Sequence, residues 1–409
     1  MTCASPSVSV RRSLRRWLAR ELWALSPTIA AATTRYQADR YRKHFTTWQH
    51  CCVLLAHGLS GSPSLRETHR SFADLGGIAT MSGLLVDGET IGVSYPQLAA
   101  STTTRPAAVL GAQLAPLLRR AAGVLHLPGI PPDLLILDST RLPLSLLHAP
   151  WLTWSKGVQL QVLYQPADAC PLAVVVPEDV RCRDYQGMDR VLLTQHTRLA
   201  ALTGQTVVVD RGYYSTVRFQ ALLDAGIHVL TRRHPQAHIV VERDYPIQDA
   251  LPLADTRITI LTDQRITLGH PTHHKVRPLQ NWRMVTATVQ PLPKAAKRGA
   301  TPVVYQVLTD RWDLTASQVI CGYLWRWQIE LFFRWLKRQI RLIHLLGYSE
   351  NAVLVSVWLS LLVHLLLVLA TALLGRQRPS VTVYSALAAA IAHLDLAALH
   401  PAILSTAPL

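Results

Sequence analysis

The spacing of apolar positions changes character along this chain. Over residues 40–76 they recur at helical intervals, broken between Gly58 and Pro63 and closed by Gly76 and Gly77. Another helix is expected over 107–124, and the proline-rich LPGIPP at 127–132 is the strongest boundary signal. The first 40 residues are Arg-rich and patchy, so the first third reads as a small helical module. The period then shortens. DLLILD (133–138) is a short apolar run ending in an acid, GVQLQVLY (157–164) alternates, and LAVVV (172–176) makes a third strand. A helix is expected over 188–202. TVVVD (206–210) repeats the strand ending in an acid, and a helix over 215–225 leads into a strand at 227–231. Three strands, helix, strand, helix, strand predicts a mixed sheet with helices on its faces.

Residues 234–306 are rich in β-branched side chains and turn signals and read as a β-rich insertion, with Lys294, Lys297 and Arg298 on a basic loop. Residues 323–341, YLWRWQIELFFRWLKRQIR, return to helical spacing. At about 100° per residue, Tyr323, Arg326, Glu330, Arg334, Lys337 and Arg341 fall within an arc of roughly 80°, opposite Trp325, Ile329, Phe332, Phe333, Leu336 and Ile340. One carboxylate inside a basic stripe suits a metal ligand held beside a polyanion better than salt-bridge decoration, which mixes the signs. Residues 353–374 are apolar enough to cross a bilayer. Ser356, Ser360 and His364 interrupt them and no second span exists, so a buried core helix is expected.

Composition sharpens this. Lys plus Arg number 41 against 25 Asp plus Glu, giving +16 over 409 residues. Such an excess favours an anionic polymer as partner, nucleic acid before an acidic membrane. The six cysteines lack any CxxC or paired framework, which fits reduced thiols in the cytoplasm, and no secretory signal is visible.

Three acids stand out by position: Asp138 and Asp210 at strand ends, and Glu330 on the amphipathic helix. Together they would form an oxygen-rich pocket suited to Mg²⁺ or Mn²⁺. Two such ions about 4 Å apart can serve phosphodiester cleavage and transfer. Arg326, Lys337, Arg334 and Arg341 would hold backbone phosphates nearby. Singly, each acid has a bland alternative: a turn former or helix cap for either aspartate, an i,i+4 partner of Arg326 or Arg334 for Glu330. His270, His273 and His274 are read as loop residues, since no cysteine or carboxylate spacing supports zinc.

Tyr323, Arg326, Glu330 and Lys337 reproduce Tyr-x2-Arg-x3-Glu-x6-Lys, and the chain resembles the insertion-sequence 4 type group of bacterial DDE transposases. LILDSTRL around Asp138, VVVDRGYYS around Asp210, GIHVLTRR, and the FTTW and SLRE phrases carry the same resemblance, which runs over about 41–374. VSYPQLAASTTTRP (93–106) matches only loosely. The resemblance implies an α/β, ribonuclease H-like catalytic core (131–233 and 307–375) interrupted by the β-rich insertion (234–306). A helical DNA-binding and assembly region (1–130) precedes it and a helical tail (376–409) follows. It implies Asp138, Asp210 and Glu330 as catalytic metal ligands for two Mg²⁺ ions, with Mn²⁺ able to substitute. Tyr323, Arg326 and Lys337 would bind DNA, with Tyr305, then Trp282, as candidates to stack on a flipped base. The implied activity is cut-and-paste transposition: cleavage at terminal inverted repeats, then strand transfer into target DNA by a homodimer in the cytoplasm, at the nucleoid, without a membrane. Rival readings are a ribonuclease H-like nuclease without strand transfer, and a domesticated DNA-binding relic.

Overall fold

The computed structural model describes residues 8–42, 44–86, 90–152, 157–176, 184–247, 258–270, 278–291 and 298–399. Lys294, Lys297, His273 and His274 lie outside them. The chain opens with helices, among them α1 (Val8–Trp23) and α2 (Thr47–Ser60). A capping box between Thr46 and Gln49 starts α2, and Gly61, in the left-handed region at φ +68°, ends it.

The sheet then begins. Its nine strands are β1 (Leu134–Pro143), β2 (Gly157–Gln165), β3 (Cys170–Val175), β4 (Thr206–Val209), β5 (His228–Arg232), β6 (Ile239–Asp244), β7 (Ile258–Leu268), β8 (Leu279–Val289) and β9 (Val303–Thr309). Helix α3 (Thr216–Asp224) connects β4 to β5. The spatial order is β3-β2-β1-β4-β5-β9-β8-β7-β6. β1 pairs with β4, and β4 with β5, in parallel; the other pairs are antiparallel. The strands of 234–306 thus extend the central sheet through β9.

After the sheet come α4 (Ala316–Leu324), α5 (Trp327–Arg338), α6 (Glu350–Leu373) and α7 (Val381–Ile391). Alternation along the strands separates two cores. Leu134, Ile136, Val208 and Leu230 face a cluster that includes Ile320, Ile329 and Phe332 and continues into the N-terminal helices. Leu135, Leu137, Val207 and Val209 face the other side, against Met188, Phe219 and Leu222. One core therefore runs across the proline-rich stretch at 127–132. Helix α6 is its axis. Of its most apolar 18-residue window, 83% is buried, so this is a core helix whose lipid-like surface is met by protein.

The helices expected over 107–124 and 188–202 are each broken. The first becomes Ala108–Gly111 and Leu114–Ala121; the second becomes Asp184–Met188, a π-helical turn and His196–Ala201. The single helix expected over 323–341 is also wrong. The N–H groups of Arg326, Gln328 and Ile329 bond three residues back, to Tyr323, Trp325 and Arg326, which tightens the backbone and divides α4 from α5. Beyond Arg338, Arg341 adopts φ +60° and Leu342 N–H reaches back to Leu336, turning the chain off the axis. Arg341 consequently leaves the Glu330 face. It lines a small cavity with His57 and Tyr384 against the N-terminal helices.

Candidate active site

The parallel ladder sets the site. β1 and β4 pair from Leu134 with Thr206 to Leu137 with Val209, and the next residue on each strand is an aspartate. β4 stops there and the chain leaves the sheet at Asp210, while β1 continues beside β2 to Pro143. A notch opens at the carboxyl end of the parallel strands, the usual place for a site in such sheets. By alternation Asp138 shares a face with Ile136, and Asp210 with Val208: the face covered by α4 and α5. Glu330 enters from α5, whose Ile329, Phe332 and Phe333 are buried below it.

Arg326 ties the acids together. Its Nη1 donates to Asp138 Oδ2 at 3.0 Å and its Nη2 to Glu330 Oε1 at 2.6 Å. Asp138 Oδ1 accepts from Ser139 N–H at 2.8 Å, and Asp210 Oδ1 accepts from the Tyr323 hydroxyl at 3.1 Å. Burial pushes the Asp138 carboxyl up to about 6. It outweighs the Ser139 N–H and Arg326, and the charges of Asp210 and Asp184 add to it. Burial and the Asp210 carboxylate raise the Tyr323 hydroxyl, which therefore stays protonated as a donor. On Arg326, burial works against the charge, but the carboxylates of Glu330, Asp138 and Asp210 outweigh it and hold the pKa up.

Lys337 donates from Nζ to the Arg141 carbonyl at 2.8 Å, three residues past Asp138, and burial lowers its pKa. Arg334 is exposed one turn beyond Glu330. Tyr305 lies under the Arg232 guanidinium at 4.9 Å, with its ring 6.0 Å from that of Tyr323. It lines a cleft of about 150 Å³ with Asp210, Arg211, Arg232, Arg326 and Trp327. Trp282 is not available for stacking on a base: it is 1% exposed and stacked on Phe219 in the core. His270 is paired with His238, ring to ring at 4.7 Å.

The donors suit a hard divalent cation in type and charge. All three are carboxylates on one face, and the one guanidinium bonded to Asp138 and Glu330, that of Arg326, carries a single positive charge against their two. As they stand, no group of three such ligands among the described residues encloses an ion, because Arg326 occupies the space between Asp138 and Glu330.

Sequence reasoning missed Arg211, Arg232 and Arg233, which wall an adjoining cleft of about 410 Å³. The Arg232–Arg233 pair at the end of a strand was the available signal. It also missed Asp184, whose surrounding sequence carries no periodic pattern.

The sequence family described as "Transposase DDE domain" matches residues 129–366, the span that holds all three acids. This chain belongs to that family. It is 26% identical over 244 residues to "Putative transposase y4zB" of Sinorhizobium fredii, covering 58% of this chain and 61% of the relative. It is 25% identical over 240 residues to "Probable transposase for insertion sequence element IS5377" of Geobacillus stearothermophilus, covering 58% and 56%. The chain thus matches about three fifths of the length of these curated relatives. Among solved structures it is similar to a piggyBac transposase synaptic complex with hairpin DNA, at 9% identity and a TM-score of 0.45, covering 95% of this chain and 83% of that one.

Proposed function

We propose that this protein is an insertion-sequence transposase of the group bearing the Tyr-x2-Arg-x3-Glu-x6-Lys signature. It would cut DNA at terminal inverted repeats and join the freed 3′-hydroxyl to target DNA. The observation that carries the reading is the pairing of Asp138 and Asp210 at the ends of adjacent parallel strands, on the face where α5 presents Glu330, within a DDE-family span. In this reading the core is ribonuclease H-like.

Asp138, Asp210 and Glu330 would hold Mg²⁺ or Mn²⁺, which when bound supplies charge stabilisation at the scissile phosphate and activation of water or a 3′-hydroxyl. The chain's own residues do the rest. Tyr323 orients Asp210 through its hydroxyl. Arg326 bridges Asp138 and Glu330 in the free protein and is placed to move onto a phosphate when the acids take a cation. Lys337 and Arg334 extend the positive face along the backbone, and Tyr305 offers a ring beside the pocket for an extruded base. The N-terminal helices would serve DNA binding and assembly, and the working unit would be a DNA-bound homodimer in the cytoplasm.

The test uses the purified chain, Mg²⁺, a duplex ending in the element's inverted repeat, and a target plasmid. Cleaved ends and joined products are expected. Glu330→Gln or Asp138→Asn should lower both by about 100-fold or more. Equal activity in those variants would overturn the assignment. Cleavage without joining would favour the simple nuclease, and end binding without cleavage a DNA-binding relic.

A further inference from the structure

We infer that Asp184 is a positioning residue that sets the spacing of Asp138 and Asp210 from the opposite face of the sheet; this rests on the transposase reading of those two carboxylates. Asp184 opens the short helix Asp184–Met188. Its Oδ1 accepts from Ser139 Oγ at 2.9 Å and from Gln159 Nε2 at 3.2 Å, joining β1 to β2. The Ser139 N–H is the donor to Asp138 Oδ1, so both polar groups of Ser139 are engaged, one with each aspartate.

The other oxygen reaches the second strand end. A Cβ on Gly212 would lie 2.8 Å from Asp184 Oδ2. Gly212 sits in the Arg211–Tyr213 turn directly after Asp210, and its φ lies outside the left-handed region. The glycine therefore leaves room for the Asp184 carboxylate in its present place, and its backbone conformation does not call for a glycine. The same turn is tied to β2 by the Tyr213 hydroxyl, which donates to Gln161 Oε1 at 2.7 Å. Gly187, in the Asp184 helix, is packed so tightly on Gln161 that a Cβ would fall 2.2 Å from its side chain. Asp184 is thus wedged between the strand of Asp138 and the turn of Asp210.

Alternation decides what it can do there. Ser139 is one residue past Asp138 and points to the other face, the side of Leu137 and Met188. A carboxylate bonded to Ser139 Oγ lies behind the sheet, away from Arg326 and Glu330. It acts on the pocket by holding its walls.

The experiment measures Mn²⁺ binding by electron paramagnetic resonance on the full chain, with Asp138→Asn as the control for the site. Asp184→Ala should weaken Mn²⁺ binding by about 10–100-fold, the usual effect of losing a group that orients a ligand. Gly212→Ala, which pushes the carboxylate away without altering it, should act in the same direction. Asp184→Asn keeps an oxygen acceptor of the same shape and should stay within about 3-fold of native, a rescue that loss of a charge would not show. Circular dichroism identifies any variant that does not fold; if Asp184→Ala is one, Gly212→Ala and Ser139→Ala carry the comparison. Native affinity in the Asp184→Ala and Gly212→Ala chains would overturn the inference. So would an Asp184→Asn chain as weak as Asp184→Ala. If Asp138→Asn itself leaves Mn²⁺ binding unchanged, the reading of the pocket as a metal site fails first, and the two failures are told apart.

Discussion

Arg326 donates to Asp138 and Glu330 from one guanidinium, so the cation that bonds both acids also stands between them. A divalent ion and this side chain compete for the same oxygens. Arg326→Ala should therefore tighten Mn²⁺ binding, by about 3- to 10-fold, while weakening binding to the transposon end and lowering its salt slope by about one. Titrations of Mn²⁺, and anisotropy of labelled DNA across a salt series, read the two effects. Weaker Mn²⁺ binding would mean that Arg326 orients the acids instead. Asp138 brings a pH dependence of known sign. Its carboxyl moves from 3.8 to about 6 in the folded chain, so its contribution to stability is fully present below about pH 4 and is lost as pH rises through about 6. In metal-free protein, Asp138→Asn should raise the melting temperature at pH 7.5 and leave it nearly unchanged at pH 4.

At the scale of elements, the site depends on helices that lie far from it. Helix α6 holds α2 on one side and the α5 region on the other. Gly58 on α2 packs directly on α6: a Cβ there would meet Val363 Cγ2 at 2.7 Å and Leu359 at 3.3 Å. Gly58→Ala should destabilise the chain by about 1–3 kcal/mol through overpacking, measured by urea unfolding. No loss would mean that Val363 and Leu359 yield to the added methyl without cost. The break between α4 and α5 has a local use. Gly322 sits against Leu230 and Leu134, which seats α4 on the sheet and lets Tyr323 reach Asp210. Arg326, just past the break, can then point at Asp138 while Ile329 and Phe332 stay in the core.

For the whole molecule, three imidazoles lowered by burial, His50, His57 and His364, stand against two carboxyls raised by it, Asp138 and Glu21. Burial holds both His57 and His364 near 4, with Arg341 adding to the effect on His57. A depressed imidazole contributes stability above its unfolded value of about 6.5, and that contribution is lost as pH falls through about 4. Two histidines moved from 6.5 to about 4 exceed one aspartate moved from 3.8 to about 6, so net stability should drop between pH 6.5 and 4. His364 donates from Nε2 to the Ala169 carbonyl at 2.8 Å. His364→Gln keeps a donor without titrating, and should flatten the fall in melting temperature over that range. A curve as steep as the native one would mean that His364 does not drive the fall.

What the sequence determined by itself is whatever depends on neighbours along the chain. Short apolar runs at 134–137 and 206–209 made strands, each followed by an acid, and the apolar stretch at 353–374 was legible as a core helix because polar residues interrupt it. The spacing of Tyr323, Arg326, Glu330 and Lys337 was legible for the same reason. Tertiary structure alone decided the rest. Parallel pairing of β1 with β4 put Asp138 beside Asp210, though 72 positions separate them. Helical periodicity carried Arg341 onto the Glu330 face, but hydrogen bonds to other turns ended the helix at Arg338. Asp184 gave no signal because its role comes from two segments remote in sequence meeting behind the sheet, and Trp282 lost its proposed role because packing buried it. Local periodicity records which face of an element is apolar. Which elements meet across that face is settled by packing, where contacts distant in sequence compete.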